Sequence, residues 1–388
     1  MAEIFHVELS GGNSLYADLA LPATDYELLD VLDRLRMTPD QSPELEITQN
    51  KGFNYLHAYL NDGNLYELNG LARKLDEMDA TQKTAFEGLF QIALSHKEGP
   101  MCFADLMTYA NSVDGCQVVH EATDDASLGK FYASYGFVPE VEDLSDNLFE
   151  LLNFEKIGRD ARKAERGAFT RTGYVLQSDE LKHVSADFSA RPTVPPYSLR
   201  LLVARYPFES DAEPTVTATL DLPTSQEELN RALNHIGAAS WEEVIFTGVD
   251  SAIPGFPDEM YGESYEELND YAQTIKDIQE RSNLPKLKAV LSAKGCTSIS
   301  EALQVAEHLN DYIYEQAKHC PEDVAREEIH CSLTEDDAEM LIKHVDLYGY
   351  GKDVMEQYNY ELTEYGLISR RDGQPIQAQE NNSLQMSM

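Results

Sequence analysis

Basic residues are scarce in this chain: 30 lysines and arginines face 69 aspartates and glutamates, a formal charge of −39 at pH 7. Such a surface repels nucleic acid and anionic membranes, and attracts proteins built to bind polyanions. No stretch of 18 apolar residues occurs, so no transmembrane helix is expected. The five cysteines, Cys102, Cys116, Cys296, Cys320 and Cys331, make no CxxC pair and no disulfide framework. Residues 1–12 lack a basic and then apolar leader, so a reducing cytoplasm is the expected location.

Catalytic signatures are missing too. There is no GxSxG, no Walker loop and no GxGxxG, the runs that would hold a nucleophile or phosphates. Asp62-Gly63-Asn64 lacks the rest of a calcium loop and reads as a turn. His319-Cys320 and His330-Cys331 are soft ligands, but their eleven-residue repeat fits no compact zinc pattern. Carboxylates are too numerous for one pair to stand out as acid and base. No enzyme, metal or cofactor is expected.

What is present is globular chemistry. Apolar residues make up 42% of the chain, with 21 tyrosines and 14 phenylalanines, where a disordered acidic tail would be poor in aromatics. Residues 1–200 hold 33 acidic and 17 basic residues, the remainder 36 and 13, so the excess runs along the whole length.

The chain also repeats itself. Tyr16-Ala17-Asp18-Leu19-Ala20-Leu21-Pro22 and Thr217-Ala218-Thr219-Leu220-Asp221-Leu222-Pro223 each read as an alternating strand, a proline stop and then an amphipathic helix. Tyr66-Glu67-Leu68-Asn69 recurs as Glu266-Glu267-Leu268-Asn269, each opening a helix, over 65–78 and 265–278. Lys156-Ile157-Gly158-Arg159-Asp160 matches Gly349-Tyr350-Gly351-Lys352-Asp353, and Gly173 falls on Gly366 at the same offset. The expected fold is α+β: two tandem homologous units, 1–178 and 198–370, each with a small mixed sheet and a helical middle, elongated overall. The helical middles are expected over 80–94, 103–110 and 126–135, and over 285–291, 299–306 and 306–318. A Pro-rich linker, 179–197, joins the units, and a Gln-, Asn- and Ser-rich tail, 371–388, is expected to be disordered.

The repeated segments resemble the ArdA-type antirestriction proteins. The resemblance lies in Ala218-Thr219-Leu220-Asp221-Leu222-Pro223 with Glu227-Glu228-Leu229 and Asn234-His235-Ile236-Gly237, and in the acidic helix from Ser264 to Ala272. In the first unit it lies in Leu68-Asn69-Gly70-Leu71-Ala72, Ile157-Gly158-Arg159-Asp160 and Phe169-Thr170-Arg171-Thr172-Gly173-Tyr174. It implies a non-enzymatic DNA mimic in a bacterial cytoplasm, carried by a phage, plasmid or other mobile element. Its implied partner is the basic DNA-binding groove of a defence enzyme, above all type I restriction–modification, with no nucleic acid and no membrane. The family usually works as dimers; the duplication here implies a monomer acting as a pseudo-dimer, with a homodimer as the other possibility.

Mimicry has a physical basis. Duplex DNA carries one charge per roughly 1.7 Å, so −39 corresponds to on the order of 65 Å of duplex, about 20 base pairs. Helix positions three or four apart lie about 5–6 Å from each other, close to neighbouring phosphates. The candidate mimic surface in the first unit is Asp76, Glu77 and Asp79, Asp124 and Asp125, and the run Glu140, Glu142, Asp143, Asp146 and Glu150. In the second unit it is Asp258, Glu259, Glu263, Glu266, Glu267 and Asp270, then Glu322, Asp323, Glu327 and Glu328, then Glu335, Asp336, Asp337 and Glu339. Such crowding raises carboxylate pKa values and costs stability, so added salt is expected to raise the melting temperature. A basic island, Lys156, Arg159, Arg162, Lys163, Arg166 and Arg171, is expected to pair with acids of the same chain or to fix the angle between units.

Three other readings compete. The same physics suits a mimic aimed at another DNA-handling defence complex, of CRISPR or BREX type. Leu128-Gly129-Lys130-Phe131-Tyr132-Ala133-Ser134-Tyr135-Gly136-Phe137-Val138-Pro139 resembles a helix-to-strand element of GCN5-related N-acetyltransferases, yet no glycine-rich pyrophosphate loop precedes it. An aromatic helix face ending at a glycine cap explains the same residues. An acidic protein adapted to high salt would carry a similar composition without the repeated motifs.

Overall fold

A computed structural model of the chain describes residues 2–12, 14–96, 100–141, 144–183, 190–206, 216–255 and 263–376. As far as they are described, its contacts form two units. One comprises Met1–Leu9, Asp18–Ala23 and Ser42–Arg191; the other comprises Ser10–Ala17, Thr24–Gln41 and Pro192–Met388. The fold is mixed α/β, with many helices and, among the described residues, four three-stranded sheets. None of the described helices is long and apolar enough to cross a membrane.

In the first unit, strands β1 (Phe5–Ser10), β2 (Tyr16–Leu21) and β3 (Glu44–Asn50) form a sheet ordered β2-β1-β3. Period-two alternation decides its faces: Phe5, Val7, Leu9, Ala17, Leu19, Leu21 and Ile47 are buried, and the residues between them look outward. Helix α1 (Asp25–Leu35) follows β2 in sequence but belongs by contact to the second unit. Helices α2 (Leu65–Glu77), α3 (Ala80–His96) and α4 (Phe103–Ser112) come next. Strand β4 (Cys116–Val119), helices α5 (Asp125–Ser134), α6 (Asp146–Phe149) and α7 (Phe154–Glu165), and strands β5 (Ala168–Phe169) and β6 (Tyr174–Gln177) complete the unit. Their sheet is ordered β4-β6-β5. Leu128, Tyr132 and Tyr174 form a small core beneath it.

The second unit repeats this order of elements. Strands β7 (Leu199–Arg205) and β8 (Thr217–Leu222), helix α8 (Gln226–Ile236) and strand β9 (Val244–Ser251) give a sheet ordered β8-β7-β9. Helices α9 (Tyr265–Glu280), α10 (Leu284–Lys294) and α11 (Ile299–Glu307) follow. Strand β10 (Tyr312–Glu315), helices α12 (Pro321–Ser332), α13 (Glu335–Ile342) and α14 (Leu347–Tyr358), and strands β11 (Glu361–Thr363) and β12 (Gly366–Arg370) close it, in the order β10-β12-β11. Leu199, Leu201, Leu222, Leu268, Tyr271, Leu287 and Ile368 lie in its main core, which Tyr26 of α1 joins.

Each repeated motif has a local structural task. Glu67 and Glu267 reach back to the amides of Asn64 and Ser264, closing capping boxes. One residue on, Leu68 and Leu268 are fully buried. Asn69 Oδ1 accepts the Ala23 amide at 2.7 Å, and Asn269 Oδ1 accepts the Thr224 amide at 2.7 Å. Both amides follow the cis-prolines Pro22 and Pro223. Thr170 and Thr363 donate their hydroxyls to the carbonyls of Gly173 and Gly366, at 2.9 and 2.8 Å.

The Gly158–Gly351 match marks a backbone-to-backbone helix crossing. A Cβ on Gly158 would stand 1.9 Å from Asp125 O, and one on Gly351 would stand 1.9 Å from Pro321 O. Since the obstacle is main chain, Gly158→Ala or Gly351→Ala is expected to cost about 1–3 kcal/mol or more. Gly248→Ala is the control, its Cβ meeting nothing closer than Leu202 Cβ at 3.5 Å. Urea melts of the three variants check this; equal midpoints would mean that the helices separate freely.

One expectation changes. The helix expected over 306–318 is absent: α11 ends at Glu307, a 3-10 turn spans Leu309–Asp311, and β10 pairs antiparallel with β12. Tyr312-Ile313-Tyr314 is aromatic and β-branched, and the strand partner decides what local pattern left ambiguous. The rival helix-to-strand reading of 128–139 finds no strand among the described residues there: Gly136 turns left-handed at φ +77 after α5, and Pro139–Val141 is a 3-10 turn.

Candidate interaction surface

The structure divides the acidic residues by task. Several are occupied in building helix starts, where the dipole and free amides favour carboxylates. Asp79 Oδ1 accepts the Gln82 amide at 2.8 Å ahead of α3, and Asp124 Oδ1 accepts the Ser127 amide at 2.7 Å ahead of α5. These bonds from Ser127 hold the Asp124 carboxyl below its usual range. Glu267, bonded to the Ser264 hydroxyl and amide, is lowered likewise. Asp323 Oδ2 accepts the amides of His319 and Cys320, at 3.0 and 3.3 Å. Asp337 accepts from Thr334 Oγ1 at 2.7 Å, and Asp76 from the Ala2 amide at 3.1 Å.

Others are neutralised. Asp125 takes a two-pronged bond from Arg162, Nε at 2.8 Å and Nη2 at 3.1 Å, with Arg159 Nε at 3.7 Å. Arg159 also pairs with Glu155. Two cations of the basic island are thus matched inside their own unit; Lys156, Lys163, Arg166 and Arg171 are exposed. Glu327 lies 2.8 Å from Lys318 Nζ, which is buried and also meets Glu315 at 2.7 Å. Glu77 stands 3.9 Å from Lys74 Nζ; Glu339 has the His330 imidazole Nε2 at 3.9 Å, a charge partner only when protonated.

A third set is exposed with no ion pair among the described residues: Glu140 and Glu150 in the first unit, Glu266, Asp270, Glu335 and Asp336 in the second. Glu322 and Glu328 are half-buried on α12. Glu263 is half-buried as well, and burial, then the neighbouring Glu267, raise its pKa. Its carbonyl accepts the Trp241 indole at 3.0 Å, anchoring the start of α9. Glu142, Asp143, Asp258, Glu259 and the side chain of Asp146 lie outside the described residues.

Two acidic faces escaped sequence reasoning. On α9, Asp277 and Glu280 are exposed and continue the line of Glu266 and Asp270 along one side of the helix. Following the same helix face two turns further, past Gln273 and Thr274, would have found them. On the sheet β2-β1-β3, Glu8, Asp18, Glu44 and Glu46 all look outward. The alternation of each strand already implied this, since residues two apart lie about 6.6–6.8 Å from each other on one face. Of these, Asp18 has a basic neighbour, His6 Nε2 at 3.8 Å.

The Asp125–Arg162 pair gives a pH prediction. Arg162 holds the Asp125 carboxyl below its unfolded value. Its stabilisation is therefore fully present above the ordinary carboxylate range and is lost as pH falls through the depressed folded value. Asp125→Asn is expected to lower the melting temperature at pH 7, by a margin that shrinks as the medium is acidified. A margin that stays constant down to strongly acid pH would rule out the ion pair as its source.

Residues 214–369 match the family model for antirestriction protein (ArdA). No curated protein was found to match the chain.

Proposed function

From an ArdA-type antirestriction region over residues 214–369, we propose that this chain inhibits a DNA-binding defence enzyme by occupying its DNA groove with carboxylates in place of phosphates. One observation carries the reading: the row Glu266, Asp270, Asp277 and Glu280 is exposed along α9 with no ion pair among the described residues. Glu266 with Asp270 and Asp277 with Glu280 stand four and three residues apart, which gives about 5–6 Å, near the phosphate repeat; a two-turn step of about 10 Å separates the two pairs. Arginine and lysine side chains that await a duplex would meet such a row with similar geometry and counterion release. The mimic surface comprises this row, the exposed Glu335 and Asp336 of α13 with the half-buried Glu322 and Glu328 of α12, Glu140 and Glu150, and the outward face of β2-β1-β3. The helix-capping acids and Asp125 contribute less, being already bonded.

The target that best fits is the specificity and methyltransferase core of a type I restriction enzyme. The recurrence of element order, cis-proline, asparagine latch and glycine crossing supports two copies of one ancestral unit, 1–178 and 198–370, joined by 179–197. One chain then presents what two subunits would.

A competition assay tests this. A type I methyltransferase core bound to labelled duplex is titrated with the protein at two salt concentrations. Displacement near one-to-one, weakening as salt rises, is expected. Failure to displace at low salt would remove the type I target and direct the search to other DNA-handling defence complexes.

A further inference from the structure

The start of α12 carries chemistry that an acidic surface does not need. His319, Cys320 and Asp323 are each half-buried, and each places one ligand atom within 4.8 Å of the others. The helix start gathers them. Pro321 begins α12, and Asp323 turns back onto the preceding turn, its Oδ2 accepting the amides of His319 and Cys320. His319 Nδ1 stands 3.0 Å from that same oxygen. The Cys320 thiol also lies among hydrogen-bonding contacts with Glu322 and Asp323.

The first unit performs the same structural task with other residues. Pro321 stands at the glycine crossing of α12 and α14 where Asp125 stands at that of α5 and α7. In that alignment His319, Cys320 and Asp323 correspond to Thr123, Asp124 and Ser127. There Asp124 caps the Ser127 amide directly, with no imidazole or thiol present. Capping therefore does not explain why the second unit sets nitrogen, sulfur and oxygen donors together.

We propose that His319, Cys320 and Asp323 bind one divalent cation of the zinc class. Such an ion is borderline-soft and takes imidazole, thiolate and carboxylate together, with water completing a tetrahedron. Calcium and magnesium require a shell of oxygens and leave the imidazole and thiol unused. On binding, the Cys320 S–H bond breaks, an S–metal bond forms and the proton passes to solvent; His319 coordinates through a neutral nitrogen, and no electrons change hands. Without the ion, burial and the neighbouring acids push the thiol up to about 11. A cation at Sγ reverses that preference, and Glu322 adds a favourable negative charge. The bound ion clips the segment after β10 to the first turn of α12, so it stabilises the folded second unit by mass action.

The test uses the full-length, reduced, metal-stripped protein titrated with Co2+ and then with Zn2+. One equivalent of Co2+ is expected to produce a thiolate-to-cobalt charge-transfer band, which one equivalent of Zn2+ abolishes. Cys320→Ser and His319→Ala should each weaken Zn2+ binding by more than the roughly 10–100-fold that loss of an outer-shell partner costs. Cys331→Ser and Cys102→Ser should bind as the parent does. Melting curves recorded without metal confirm that each variant is folded. Absence of the band in the parent, or its persistence in Cys320→Ser, would overturn the site.

Discussion

Cut to residues 192–376, the chain is expected to lose the cooperative fold of its second unit. The reason lies in α1, which the sequence places in the first repeat and contacts place in the second unit. Its Tyr26 is buried against Tyr197, edge to face at 5.7 Å, and donates its hydroxyl to the Tyr197 carbonyl. Asp30 and Asp33 hold Lys288 Nζ at 2.7 and 3.0 Å, where the lysine side chain is only 2% exposed. Tyr365 donates to the same oxygen of Asp30 at 3.0 Å. Burial raises the Asp33 pKa against the opposing pull of Lys288. Removing α1 takes both carboxylates from Lys288 and opens the core around Tyr197 to water; breaking a pair that stays buried costs about 3–5 kcal/mol. A whole domain is stable by only about 5–15 kcal/mol, and the contacts of Tyr26 are lost besides. Lys288→Ala in the full chain should reproduce part of the loss by stranding two carboxylates. Circular dichroism melts and amide dispersion in NMR spectra would report it. A peptide covering 24–41, added in trans, should restore cooperative melting. A fragment that melts sharply at the parental temperature without that peptide would show that α1 is dispensable.

Neutralising the α9 row should have the largest effect on target binding. The variant E266Q/D270N/D277N/E280Q removes four exposed charges and leaves the capping residue Glu267 intact. If each charge stands in for one phosphate, the slope of log affinity against log salt should fall by up to about 3–4. A single Asp270→Asn should change it by no more than about 1. Stability should move the other way. Like-charge repulsion along the helix is relieved, offset by a few tenths of a kcal/mol where Glu266 no longer meets the helix dipole. A fourfold variant that folds as well as the parent and displaces duplex equally well would place the mimic surface elsewhere. Repeating the exchange on Glu8, Asp18, Glu44 and Glu46 then tests the outward sheet face.

The sequence by itself determined the local architecture. Alternation placed the buried side of β2 and β8, capping residues set the starts of α2 and α9, and the two copies of Glu-Leu-Asn and of the crossing glycine announced recurring devices. All of these act over a few residues of chain, through amide geometry, side-chain period and close backbone approach, so neighbours along the chain suffice to reveal them. The acidic excess and the family resemblance were visible in the same way. Only the tertiary structure decided which acids remain unpaired. Asp125 looks as exposed in sequence as Glu266, yet Arg162, brought across by the glycine crossing, takes its charge. Glu327 likewise meets Lys318 from the segment before α12. The strand at Tyr312–Glu315 waited on its partner β12. The transfer of α1 rests on Lys288, 258 residues from Asp30. Pairing and burial between distant residues leave no periodic trace in a sequence, because their energies arise only when the chain has closed around them.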